Sequence, residues 1–238
     1  MFKKFVPKSI YLWWKERNFR SLRKKTTEEI FTDIYRQNTW GGDKGTFYSG
    51  TGTANPNTSI YLDHLIAFIK KNNIRKILEI GCGDFSLMKQ VTGQVTVDYT
   101  GGDVVEGLIH HHQSAFQNKN TRFIHLNAIN DELPAADLVI IRQVLQHLSN
   151  AQIKKILNKL SCFKYVLITE HVPITADVEY NLDKIAGPHI RMRVNSGVFI
   201  EKPPFNMQNT RVLFEYRQDD KVKNKMVPAV IRTYLLEN

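Results

Sequence analysis

Cysteine is scarce in this sequence: Cys82 and Cys162 are the only two. Two thiols cannot build a disulfide framework. One sits in a glycine turn and one near a helix end, so both read as small thiols of a reducing compartment. Long apolar runs are missing as well, and none approaches the roughly eighteen residues that a membrane-spanning helix needs. Met1 to Trp14 lacks a continuous apolar stretch with a small-residue cleavage site, so no secretory signal is expected. There is no internal repeat and no low-complexity tract. With 238 residues, 42% hydrophobic and 24% charged, the chain has the size and composition of one soluble α/β domain with extensions. A cytoplasmic location is expected.

Acidic residues are almost absent from the first 25 positions. Nine Lys and Arg stand there against Glu16 alone, a net +8 of the chain's +10. The basic character therefore belongs to an N-terminal arm. Interleaved Phe2, Phe5, Trp13 and Trp14 leave three readings open: aromatics docked on the domain, peripheral contact with an anionic membrane, or a nucleic-acid arm, the last the least favoured. Residues 26–58 then divide in two. A helix is expected over 27–40, capped by Thr26 or Thr27 with a Glu soon after. A Gly/Ser/Thr/Asn-rich loop follows over 41–58, either a connector or a cover over the site.

What is present is organised around Lys76-Ile77-Leu78-Glu79-Ile80-Gly81-Cys82-Gly83-Asp84-Phe85-Ser86. The apolar run reads as a parallel strand covered on both faces. Gly81 and Gly83 let the backbone turn tightly, and the helix beyond them would aim free N–H groups at a ligand. A dinucleotide site usually carries a third glycine, where Ser86 stands here, and holds a pyrophosphate. Glu79 would repel a pyrophosphate and suits a cation. Strands are expected at 75–80, 98–103, 121–127, 137–142 and 164–170, with helices at 85–92, 104–117, 143–148 and 150–161 between them. Such alternation gives parallel strands with right-handed crossovers. Ligands then bind at the carboxyl ends of the strands. Residues 171–205 are expected to form a long irregular segment that selects the substrate. Arg211–Tyr216 and Val227–Leu236 read as two last strands around a polar turn.

Glu-x-Gly-x-Gly, the acid at Asp103 about twenty residues on, and Ala136-Asp137-Leu138-Val139-Ile140-Ile141-Arg142 after it resemble motifs of the class I S-adenosylmethionine-dependent methyltransferases. The resemblance covers about residues 75–170. It implies a seven-stranded Rossmann-like sheet, mostly parallel with an antiparallel terminal strand, helices on both faces and an N-terminal helical extension. The catalytic domain would span 59–238. It implies S-adenosylmethionine as cofactor and S-adenosylhomocysteine as product. Glu79, Gly81, Cys82 and Gly83 would hold the methionine part, Asp103 and Val104 the ribose, Asn127 and Ala128 the adenine, with Arg142 and Gln143 beside them. The family often has an acid at Asn127, and the Asp-Pro-Pro-Tyr or Asn-Pro-Pro-Tyr segment of amino and nucleic-acid N-methyltransferases is absent after strand four.

A hydroxyl acceptor needs a base, and His147 and His171 are the candidates near the ends of strands four and five. His189, Arg191, Arg193 and Asn195 are candidates for substrate binding. His110-His111-His112 cannot converge on one ion at adjacent helical positions, so no metal is assigned and the run is expected on a solvated face. A bacterial subset of the family that looks glycan-associated is similar around Trp40-Gly41 and Ser49-Gly50-Thr51-Gly52. The expected activity is O-methylation of a small polar acceptor, such as a sugar or surface-glycan intermediate. An RNA methyltransferase using the basic arm, and a non-catalytic cofactor-binding or membrane-associated scaffold, are the alternatives.

Overall fold

The computed structural model describes residues 22–43, 45–50, 52, 55, 57–222 and 224–238. Apart from residues 22–25, the basic arm lies outside them. The first helix, α1 (Thr27–Arg36), starts at a reciprocal capping box: the Glu29 N–H donates to Thr26 Oγ1 at 3.1 Å and the Thr26 N–H to Glu29 Oε2 at 2.7 Å. It ends four residues before the expected limit. The order then runs α2 (Thr58–Lys71), β1 (Lys76–Ile80), α3 (Ser86–Thr92), β2 (Asp98–Asp103), α4 (Glu106–Phe116), β3 (Thr121–His125), β4 (Leu138–Arg142), α5 (Asn150–Leu157), β5 (Tyr165–Pro173), β6 (Thr210–Arg217) and β7 (Ala229–Glu237). Among the described residues no helix is long and apolar enough to cross a membrane.

These seven strands form one sheet in the order β3-β2-β1-β4-β5-β7-β6. Pairings from β3 through β5 are parallel, and β7 runs antiparallel to both β5 and β6. Strand order reverses between β1 and β4, which opens a crevice at their carboxyl ends. Alternate residues of each strand feed two cores. Ile77, Leu138, Ile140 and Leu167 pack under α2, α3 and α4, whereas Leu78, Val139, Ile141 and Val166 pack against α5. The helices thus lie on both faces, and the central strands read as continuous apolar runs because both faces are covered.

Five expectations about the elements change. Strand β5 does not stop at Glu170 but continues through Pro173, because β7 supplies ladder partners as far as His171–Ile231, Val172–Val230 and Pro173–Ala229. The 143–148 helix is a single 3₁₀ turn at Leu145–His147, and α5 ends at Leu157. The segment after β5 is not wholly irregular, holding a 3₁₀ turn at Arg191–Val194 and a short parallel pairing of Glu179–Tyr180 with Ser196–Gly197. A small hairpin, Asp220–Val222 with Lys225–Val227, stands between β6 and β7 in place of a simple turn.

Candidate active site

The turn after β1 is shaped by Gly81 (φ +72°) and Gly83 (φ +52°), both in the left-handed region. A Cβ on Gly81 would run into the Val144 side chain, and one on Gly83 into Ser49 Oγ. The glycines are therefore required by close approach as well as by backbone conformation.

The N–H groups of this turn are already used. Gly81 and Cys82 donate to the Gly102 carbonyl at 2.8 and 3.1 Å, and Phe85 to Cys82 at 3.2 Å. The Gly83 N–H donates to Asp103 Oδ2 at 3.3 Å, Asp84 to Ser49 Oγ at 2.7 Å, and Ser86 to Asp84 Oδ1 at 3.0 Å. Beyond the turn, the amides of Leu87 and Met88 lie in the first turn of α3, where a helix has no carbonyl of its own for them, and both residues line the pocket. With two acidic side chains in the crevice and the amides of Gly81 to Ser86 taken internally, the turn itself suits a cation better than a phosphate.

Those side chains are Glu79 and Asp103, both buried. Burial pushes the Glu79 carboxyl up to about 8, against the opposing pull of the hydrogen bond from Tyr99 Oη. Burial also raises Asp103, offset by backbone N–H groups including Val105 (3.1 Å to Oδ1) and Gly83. Tyr99 was not anticipated from the sequence. Its place in register beside Ile77 in β1 is what lets its hydroxyl reach Glu79.

One pocket at the carboxyl ends of the strands collects Glu79, Gly81, Cys82, Gly83, Asp103 and Val104 with Asn127, Ala128, Arg142, Gln143 and His147. Its outer wall comes from α1 and the loop after it, through Phe31, Tyr35, Trp40, Ser49 and Gly52. Tyr35 Oη lies 3.1 Å from Ser49 Oγ, and Arg142 Nη2 donates to the Gly52 carbonyl at 2.8 Å. Two buried amide atoms of pocket-lining residues, Gln143 Nε2 and Gln146 Oε1, have no partner among the described residues. Unpaired buried polar atoms of this kind fit a polar ligand.

His147 sits where the 3₁₀ turn meets the segment after β5. Its Nδ1 donates to the Gly187 carbonyl at 3.2 Å, leaving Nε2 with its lone pair. The ring packs against Trp40, with centroids 5.2 Å apart. Burial, then the charge of Lys184, holds the imidazole down to about 3, so it is neutral.

The other candidates lie elsewhere. His171 is in the sheet, its Nε2 2.8 Å from the Gln218 carbonyl, and does not line the pocket. Extension of β5 explains this: side chains alternate, so Glu170 turns to the Leu145 turn and His171 to the opposite face. Arg191 is 2% exposed and bonded to main-chain carbonyls, so it has no donor for a substrate. Asn195 is a structural link, accepting from Thr175 Oγ1 at 2.9 Å and donating to the Asp177 carbonyl at 3.1 Å. His189 and Arg193 are exposed and lie outside the pocket. Asp137, at the far end of β4, accepts from the Arg75 and Lys76 amides.

His112 corrects a further expectation. His110 and His111 are exposed, but His112 is buried, with Nε2 2.7 Å from the Gly83 carbonyl. It stands four and three residues after Leu108 and Ile109 on the apolar stripe of α4, a spacing that could have revealed it.

Residues 78–162 match the family described as a methyltransferase domain. No curated protein matches the sequence. Among solved structures, the chain is similar to the N-methyltransferase NodS from Bradyrhizobium japonicum WM9 in complex with S-adenosylhomocysteine, at 11% identity and a TM-score of 0.55, over 77% of this chain and 89% of that one. It is similar also to magnesium protoporphyrin IX methyltransferase from Synechocystis PCC 6803 with bound S-adenosylmethionine, at 13% identity and a TM-score of 0.53, over 90% and 98%. At such identity these two carry the fold. The methyltransferase-domain match begins in β1 and ends just before β5, so it spans the glycine turn and the strands that line the pocket, and the fold is the one shared with these two structures.

Proposed function

We propose that the protein methylates a hydroxyl of a small polar acceptor, with a sugar or surface-glycan intermediate as the best candidate, and that His147 is the base. The bound cofactor supplies an activated methyl group on a sulfonium. Aligning an acceptor with such a group contributes roughly 7–11 kcal/mol, which leaves the acceptor proton as the remaining task. In this reading Glu79 faces the cationic methionine part, Asp103 takes the ribose hydroxyls, and Asn127 with Ala128 borders the adenine.

The observation that carries the proposal is the His147 ring. Its Nδ1 is occupied by Gly187, its Nε2 is an acceptor, and it lines the same pocket as the glycine turn. A neutral amine attacks without a base, so a neutral, oriented imidazole has most to offer a hydroxyl. With its pKa held near 3 the ring orients the hydroxyl first and receives the proton as the methyl moves. The sugar assignment comes from the resemblance of the 40–52 loop to a glycan-associated subset, an argument by analogy.

The test is an acceptor screen with S-adenosylmethionine, reading S-adenosylhomocysteine release from matched hydroxyl and amine compounds, sugars and nucleotide-linked sugars among them. Turnover of a hydroxyl acceptor, lowered about 10²–10⁴-fold in His147→Ala with cofactor affinity kept, supports the proposal. Turnover of amines alone, or an unimpaired His147→Ala enzyme, overturns it.

A further inference from the structure

We infer that Arg191 and Glu170 are positioning residues for His147, holding the turn that carries it from opposite sides. Glu170, in β5, takes the amide side: Oε1 accepts from the Leu145 N–H at 2.9 Å and Oε2 from the Gln146 N–H at 3.2 Å. Arg191 takes the carbonyl side. Its Nη1 donates to Leu145 and Gln146 carbonyls at 3.3 and 3.1 Å, and its Nη2 to the Leu148 carbonyl and to Asn150 Oδ1, each at 2.9 Å. Its Nε donates to the Leu182 carbonyl at 3.0 Å. A guanidinium has five N–H donors in a fixed plane, and all five are used here.

The two side chains are 0% and 2% exposed, and both bond to the turn between them. A short 3₁₀ turn has few internal bonds of its own, and its amides and carbonyls at both ends need outside partners. The two oxygens of the buried Glu170 carboxyl accept from the amides, and the buried guanidinium supplies charge-assisted bonds to the carbonyls that fix direction as well as distance.

The clamp also ties the turn to the segment after β5. Arg191 belongs to that segment. Within it the Gly187 N–H donates to the His147 carbonyl at 2.9 Å, and Lys184 Nζ donates to the same carbonyl at 3.0 Å. Trp40, which packs on the His147 ring, donates from Nε1 to the Pro188 carbonyl at 3.3 Å. Displacing Arg191 would therefore move the Gly187 carbonyl relative to His147 Nδ1, the contact that sets which ring nitrogen keeps its lone pair. The segment expected to bind substrate through its arginines acts instead by holding the ring that faces it. The catalytic meaning of this rests on the His147 proposal above, whereas the placement of the ring can be tested without it.

The experiment uses the full chain with its histidine rings labelled with nitrogen-15, read at neutral pH with S-adenosylhomocysteine bound. His147→Gln identifies the signal. In the parent protein His147 is expected as one Nδ1-protonated tautomer. Arg191→Lys keeps the charge but has at most three donors, so both tautomers are expected at comparable population. Glu170→Gln keeps size and one acceptor oxygen, so a smaller shift in the same direction is expected. Parent-like His147 signals in folded variants with lowered melting temperatures would overturn the inference and leave both residues purely structural. Should Arg191→Lys not fold, the milder Glu170→Gln decides by the same signal. Failure of the base proposal is distinct: it appears as full turnover in His147→Ala, with the tautomer unchanged by anything done to that proposal.

Discussion

His147 and Gly187 are bonded to each other twice. The ring Nδ1 donates to the Gly187 carbonyl at 3.2 Å, and the Gly187 N–H donates to the His147 carbonyl at 2.9 Å. This reciprocal pair joins the turn after β4 to the segment after β5, and it fixes the neutral tautomer that faces the pocket.

The first prediction concerns acid stability. An unfolded histidine titrates near 6.5 and His147 near 3, so between those values the unfolded chain binds a proton that the folded chain does not. Stability from this group is present above about 6.5 and is lost as pH falls toward about 3, by at most about 1.4 kcal/mol per pH unit. His147→Gln should flatten the slope of melting temperature against pH in that window. Identical slopes for the two proteins would mean that the ring is not held neutral.

Glu79 has the opposite sign. Its folded value of about 8 lies above the ordinary 4.5, so the folded chain keeps a proton that the unfolded chain releases, and stability from this group falls as pH rises between them. A cofactor with a sulfonium favours the carboxylate, so binding should expel that proton. Calorimetric titration with S-adenosylmethionine near neutral pH, in buffers of different ionisation heat, should give a buffer-dependent enthalpy that Glu79→Gln removes. A buffer-independent enthalpy in the parent protein would count against Glu79 facing the cation.

His112 supplies a third. Removing it leaves the part-buried Gly83 carbonyl without this partner, at a cost of about 1–3 kcal/mol. Denaturant unfolding of His112→Leu should show that loss, with weakened cofactor binding because the turn relaxes. His111→Leu, on an exposed position, should stay within about 0.5 kcal/mol of the parent. Equal effects from the two would show that the Gly83 bond has no special part.

Much of this was legible in the sequence, and the exceptions have physical causes. Strand positions, the glycine turn and the acid at Asp103 follow from local rules: apolar runs, left-handed glycines and alternation of elements. All ten residues expected around the cofactor, and His147 with them, line one pocket. Arg191 and His171 were misread because their roles depend on partners far along the chain. Arg191 reads as a substrate-binding cation until the fold brings the Leu145 and Leu148 carbonyls to it, 46 and 43 residues away. His171 reads as a strand tip until β7 extends the ladder past it. Tyr99 and His112 support Glu79 and Gly83 across similar gaps of 20 and 29 residues, which no local pattern encodes.

The most direct test of the cofactor site is a calorimetric titration of the full chain with S-adenosylmethionine, S-adenosylhomocysteine and NAD, repeated on Asp103→Ala. The account predicts that the first two bind at one site, that NAD does not bind, and that Asp103→Ala removes measurable affinity for both while remaining folded by circular dichroism. Binding of NAD, or undiminished affinity in the folded Asp103→Ala protein, would contradict it.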